Sequence, residues 1–225
     1  MAGCPEPLRI PHGLASFDGG LVLNKPPGLL AVPGKGPDKQ DCLSARVQAV
    51  MPQAQVVHRL DQATSGLMLM ALNPEATRWL GQAFATGRVH KTYWAWVQGQ
   101  LPLGYDWQDL HAPIALHWPD RPRRHVPAAG VPGQASHTRW RALAHHPQQP
   151  ATWVELQPLT GRTHQLRVHM AHLGHPILGD ALYGQAAPHG LLLHAQALRL
   201  AHPVTADTWA WSCPPPWASG WEIIA

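Results

Sequence analysis

The segment His58-Arg59-Leu60-Asp61-Gln62-Ala63-Thr64-Ser65-Gly66 has the residue types for acid–base or nucleophilic chemistry, set between two apolar runs. An arginine and a carboxylate stand two positions apart, and a Thr-Ser-Gly turn follows. On extended backbone Arg59 and Asp61 share a face. A carboxylate beside a guanidinium favours its charged form, the form a general base or nucleophile needs. An aspartate at a strand end also serves as a turn former or a structural ion pair, and the segment alone does not separate these roles.

Elements that could hold such a segment surround it. Val56-Val57 lead in and Leu67 to Leu72 lead out, both reading as buried strand. Leu21-Val22-Leu23 is a short strand before the turn Asn24-Lys25-Pro26-Pro27-Gly28. Asp41 is placed to cap a helix through about Met51, closed by Pro52. Asn73-Pro74-Glu75 starts a second helix, with Trp79, Leu80, Ala83 and Phe84 as its apolar stripe and Gly87 at its end. From Lys91 the period becomes two: Tyr93, Ala95 and Val97 face one way, Thr92, Trp94 and Trp96 the other. Residues 100–135 read as an irregular excursion rich in Pro and Gly. Strands follow at 137–144 and 152–159, then a helix opened by Thr160-Gly161 and ended by Gly174. Strands at 191–200 and 208–211 and an extended Cys213-Pro214-Pro215-Pro216 close the chain. Many strands, few helices and no regular alternation predict an α+β fold with a mixed, mostly antiparallel sheet.

Composition narrows the class. The chain has 225 residues, 45% of them hydrophobic, enough for a sizeable core and against wholesale disorder. No apolar run reaches the ~18 residues of a membrane helix, and the N-terminus lacks a signal pattern, so no membrane association is expected. Cys4, Cys42 and Cys213 are scattered, which speaks against disulfides or a thiolate metal site and for a cytoplasmic protein. The net charge is only +4, but Arg121, Arg123, Arg124 and His125 cluster in one loop, which suits a polyanion as readily as an ordinary basic surface. The 16 histidines include His169 and His172, three apart in the third helix, with His164 and His175 flanking them. They lack convergent carboxylate or thiolate support, so compositional bias explains them and no metal site is expected.

Several blocks together resemble one family. His58-Arg59-Leu60-Asp61-x-x-Thr64-Ser65-Gly66 is similar to the signature of RluA-type RNA pseudouridine synthases. Asn24-Lys25-Pro26-x-Gly28, Lys91-Thr92-Tyr93-x-Ala95-x-Val97-x-Gly99 and Gly161-Arg162-Thr163-His164-Gln165-Leu166-Arg167-Val168-His169 resemble further blocks. Gly174-x-Pro176-Ile177-x-Gly179-Asp180-x-x-Tyr183-Gly184 and Leu191-Leu192-Leu193-His194-Ala195 complete the likeness, in the family's order, over about residues 17–212. The resemblance implies one catalytic domain spanning 1–225, a monomer with an RNA-binding cleft, needing no cofactor. About twenty residues precede Leu21, too few for the S4 domain of many relatives, which points to the short RluA type acting on 23S rRNA and tRNA stem-loops. Gln134 and Ser136 stand where lysine and alanine are usual.

The same resemblance implies isomerisation of a uridine that has left the stack. Asp61 is the expected catalyst, by attack at C1′ or by removal of the 2′ proton. Arg162 is expected to hold Asp61 ionised through a two-pronged contact. Arg59 contacts RNA or pairs with Asp61. Tyr93 offers a ring to stack on uracil and a hydroxyl to help remove the C5 proton. Leu192 or Leu193 forms the wall under the base, with Leu192 the assigned residue. Arg121, Arg123 and Arg124 are candidates for phosphate contacts. His58, Thr64 and Ser65 support the turn. The alternative is a catalytically inactive RNA-binding or RNA-folding module. A serine hydrolase built on Ser65 and His164 lacks the Gly-x-Ser-x-Gly elbow.

Overall fold

The computed structural model describes residues 10–205 and 207–217, so Cys4 lies outside the described residues. β1 (Gly13–Phe17) and β2 (Gly20–Lys25) form a hairpin. α1 (Leu43–Gln48) comes next, then β3 (Gln55–Val56) and β4 (Ser65–Ala71). α2 (Pro74–Ala85) leads to β5 (His90–Gln98). The excursion after it carries β6 (Gln108–His111) and a small hairpin of β7 (Ala115–Leu116) with β8 (Arg124–His125). β9 (His137–His145), β10 (Ala151–Pro158), α3 (Gln165–His172), β11 (Leu193–Ala201) and β12 (Thr208–Ser212) complete the order. No helix among the described residues is long and apolar enough to cross a membrane.

The main sheet runs β1-β2-β4-β11-β5-β10-β9-β6, with β12 beside β11 and β3 beside β4. Its pairs are antiparallel apart from β4 with β11, which run parallel through His194–Ser65 and Ala195–Gly66. β4 is covered on both faces, which is why its sequence is an unbroken apolar run rather than an alternation. Val22, Leu67 and Leu69 pack under Leu80 of α2, while Leu21, Leu23, Met68 and Met70 pack on Leu43 and Val47 of α1. β5 alternates as its sequence requires. Tyr93, Ala95 and Val97 join Leu166 and Met170 of α3, and Trp94 and Trp96 meet Trp153 and Leu192 on the other face. The central cavity opens between α2 and α3.

Local chemistry accounts for the helix ends. Asn73 Oδ1 accepts from Ala76 N–H at 2.7 Å, with Pro74 in the first turn. α1 is capped by Cys42 Sγ, which accepts from Ala45 N–H. Asp41, the expected cap, instead forms a two-pronged pair with Arg46 at 2.7 Å. α3 starts later than its sequence suggests. Gln165 Oε1 accepts from the Thr160 hydroxyl and Arg162 N–H, and its Nε2 donates to His137 O and Thr138 Oγ1. That fully used amide holds 160–164 as a loop, and His164 enters the helix with φ 57°.

Candidate active site

Gly66 sets the position of the nonapeptide. Its φ is 113°, and a Cβ there would lie 2.3 Å from the carbonyl oxygen of Ala195. A side chain at this point would push β4 off β11, so glycine permits the parallel contact. Immediately upstream the chain crosses the end of the sheet as a loop, and Thr64 N–H closes a turn on Asp61 O at 3.1 Å. Two histidines pin this loop. His58 stacks on Phe84 and accepts Leu69 N–H at 2.8 Å, and burial, then the Lys91 charge, takes its pKa down to about 3. His194, fully buried, bonds Ser65 Oγ at 2.9 Å and Cys213 O at 3.0 Å.

Beneath the loop lies Lys25, with no exposed surface. Its ammonium donates to the carbonyls of Pro26, Leu29 and Gln62 at 2.8–3.0 Å, using all three protons. Burial lowers its pKa to about 8, opposed by the Asp61 charge, so it remains mostly protonated at neutral pH. In the sequence Lys25 belongs to a turn and carries no evident role. The clue was a lysine at the end of an otherwise buried strand.

Asp61 projects into a cavity of about 440 Å³, with its side chain 29% exposed. Arg167 Nη1 lies 3.3 Å from Asp61 Oδ2 and His164 Nε2 lies 3.8 Å away. The guanidinium is buried and held by Asp180 through two parallel bonds of 2.8 Å. Asp180 has no exposed surface, and its Oδ1 also accepts Leu182 and Tyr183 N–H. Burial works to lower the Arg167 pKa, but its bonds and charge contacts with Asp180 and Asp61 raise it overall. One buried cation thus balances two carboxylates and fixes the direction of the exposed one.

The expected partner, Arg162, does not take this role. It is exposed, donates from Nε to Ala135 O at 3.0 Å and lines the cavity beside Gly161. The late start of α3 puts Arg162 in the loop, and Arg167, on the helix, points back toward the carboxylates. The signal for Arg167 was an arginine flanked by Leu166 and Val168 in a buried helical run. Arg59 is exposed and lines the cavity; Asp61 takes its ion pairs from Arg167 and His164.

Tyr93 faces the same cavity from β5. Burial first, and the Asp61 charge second, push its phenol above the ordinary value, so it carries its proton at neutral pH. Lys91, two residues earlier on the same face, lines the cavity as well, its pKa lowered to about 8 by burial. The sequence marks it as the start of the alternating strand and of the Tyr93 block, without a role of its own. Leu193 forms the apolar wall in place of Leu192. Leu192 packs with Trp96, Ala151 and Trp153, because neighbouring residues of extended chain face opposite ways.

The basic cluster lies on the β7–β8 hairpin outside the cavity. Arg121 stacks over Trp118 at 3.4 Å, and Arg123 pairs with Asp120 at 3.2 Å. Arg124 N–H donates to Tyr183 Oη at 2.8 Å, and that hydroxyl shares a 2.7 Å bond with His164 Nδ1. A hydrogen-bonded chain therefore ties the hairpin to the residue beside Asp61. Ser136, one of the departures, bonds buried His169, which also meets Thr138 and Ala112.

The family model described as RNA pseudouridylate synthase matches residues 20–172. The chain is 43% identical over 187 residues to the Dual-specificity RNA pseudouridine synthase RluA of Yersinia pestis, covering 81% of this chain and 88% of that one. It is 40% identical over 198 residues to the protein of that name from Escherichia coli K12, covering 86% and 88%. The solved structure of Human RNA Pseudouridylate Synthase Domain Containing 1 superposes with a TM-score of 0.75 at 29% identity, over 95% of this chain and 87% of that one. The family model spans more than half of the chain and these relatives cover most of it, and the chain belongs to the RNA pseudouridine synthase family, an isomerase family.

Proposed function

We propose that this chain converts specific uridines to pseudouridine in stem-loops of 23S rRNA, of tRNA, or of both, with Asp61 as the essential catalyst. The names of its bacterial relatives support those RNA classes. The observation that carries the reading is the Asp61 carboxylate, held by Arg167 and facing a cavity with Tyr93 and Leu193 on its walls. The volume suits a small ligand moiety, as an extruded nucleotide is.

The C1′–N1 bond breaks, the uracil turns, and C5 joins the same C1′; N1 gains a proton and C5 loses one, so the product is an isomer. Asp61 attacks C1′ or removes the 2′ proton, and either role needs the charged carboxylate. Tyr93 supplies a stacking face worth ~1–3 kcal/mol. Because its phenol is protonated at rest, it can accept the C5 proton only after handing its own to another group. Lys91, Arg59 and Arg162 line the cavity as cations for the flanking phosphates, and Arg121, Arg123 and Arg124 extend that surface along the hairpin. The enzyme acts as a single-domain monomer. A cytoplasmic setting is supported by Cys42 and Cys213, both free and buried.

The test is tritium release from RNA labelled at uridine C5, measured beside RNA binding. Asp61→Asn preserves shape and removes the ionisable oxygen, so release stops while binding is largely kept. Substantial release by Asp61→Asn refutes the assignment of Asp61. Absence of release by the unmutated chain from any rRNA or tRNA, with binding intact, makes it a binding module of the same fold.

A further inference from the structure

We propose that Asp109, His111 and His137 form a binding site for a divalent transition-metal ion of the Zn²⁺ class. None of the three is among the residues lining the catalytic cavity. They meet on β6 and β9, at the edge of the main sheet. Asp109 and His111 are two apart on β6 and so share a face. His137 stands directly opposite His111 in the antiparallel pair, which places its side chain on that face too. One ligand atom from each residue can be chosen so that all lie within 4.8 Å of one another.

The three side chains are already in contact. His137 Nε2 is 2.6 Å from Asp109 Oδ1, and the His111 and His137 rings stack at 3.8 Å with 24° between planes. His111 is exposed and no hydrogen bond to its ring occurs among the described residues, which leaves its nitrogens open to a ligand. Zn²⁺ binds imidazole nitrogen and carboxylate oxygen at about 2.0–2.2 Å, which sets ligand atoms about 3.3 Å apart around a tetrahedron. Turning the two rings out of their stack, so that one nitrogen of each points at a common centre, brings the three atoms to that spacing. The ion replaces the proton shared by His137 and Asp109 and leaves the fourth position to water. Neutral imidazole is the form that ligates. Arg139 Nε, 3.8 Å from Asp109 Oδ1, shifts to the other carboxylate oxygen or to solvent.

The site has a route to the cavity. His137 N–H donates to Thr160 Oγ1 at 3.0 Å and its carbonyl accepts from Gln165 Nε2 at 3.0 Å. Both partners line the cavity and shape the loop that carries Arg162. A bound ion locks β6 to β9 at the base of that loop.

The experiment is a Zn²⁺ titration of the full chain against a chromogenic chelator. One equivalent binds to the unmutated protein and to His90→Ala, an exposed histidine elsewhere, and is lost in His111→Ala and in His137→Ala. Asp109→Asn, a change of shape too small to threaten folding, weakens the same equivalent at least tenfold. Without any mutation, one equivalent of Zn²⁺ shifts the imidazole NMR signals of His111 and His137 together. An unchanged stoichiometry in both histidine variants, no zinc binding by the unmutated chain, or shifts confined to other histidines overturns the proposal.

Discussion

His194 makes the stability of the turn that follows Asp61 depend on acidity. The ring is fully buried between Ser65, four residues after Asp61, and Cys213 of the C-terminal segment. Burial lowers its pKa from 6.5 to about 4, with the Cys213 carbonyl partly opposing. The folded form therefore prefers the neutral ring, and the unfolded chain binds the proton more readily. Stability from this group is fully present above about pH 6.5 and is lost as pH falls toward 4. The loss comes to about 2 kcal/mol by pH 5 and about 3 kcal/mol once both states are protonated. Urea unfolding at pH 7.5 and at pH 5, on the native chain and on His194→Gln, reads this directly. The variant is less stable at both, since it gives up packing, but its difference between the two pH values is smaller by about 2 kcal/mol. His58 adds to the acid lability of both proteins equally, so the comparison isolates His194. An identical pH difference in the two proteins refutes the argument.

Three further outcomes follow from the same geometry. Arg167→Met leaves Asp180 buried without its cation and should cost about 3–5 kcal/mol, roughly 10 °C in Tm by calorimetry; a shift within a degree of native would mean that Arg167 does not hold the pair. Tyr93→Phe keeps the stacking face, so RNA affinity should hold while tritium release slows if the hydroxyl takes part in C5 deprotonation; an unchanged rate confines Tyr93 to stacking. Gly66→Ala forces a Cβ into the Ala195 backbone, and a loss of about 3 kcal/mol or more is expected in urea unfolding; a native-like midpoint would show that the β4–β11 approach can relax.

Short-range chemistry made much of the fold legible. The alternation of Lys91 to Gln98, the Asn73-Pro74 start and the unbroken apolar run after Ser65 each follow from neighbours a few residues away. The alternation around Tyr93 likewise put its ring on the face that lines the cavity, whereas Asp61 lies in a loop and was marked by its block and not by periodicity. The start of α3 was hidden, since the Gln165 amide that holds the preceding loop spends its donors on His137 and Thr138, far earlier in the chain. The exchange of Leu192 for Leu193 shows how one residue of register changes the face that a strand presents.

What the amino-acid order determined by itself is the family, a carboxylate in the turn ahead of a buried strand and the two-faced strand that brings an aromatic ring toward it. What only tertiary structure decided is who stands beside that carboxylate. Arg162 and Arg167 are equally basic on paper, and the choice between them depends on Asp180, buried in a distant turn, which draws one guanidinium inward while the other stays in water. Charge pairing acts through space across contacts such as Asp61 with Arg167, and no local pattern encodes such a distance.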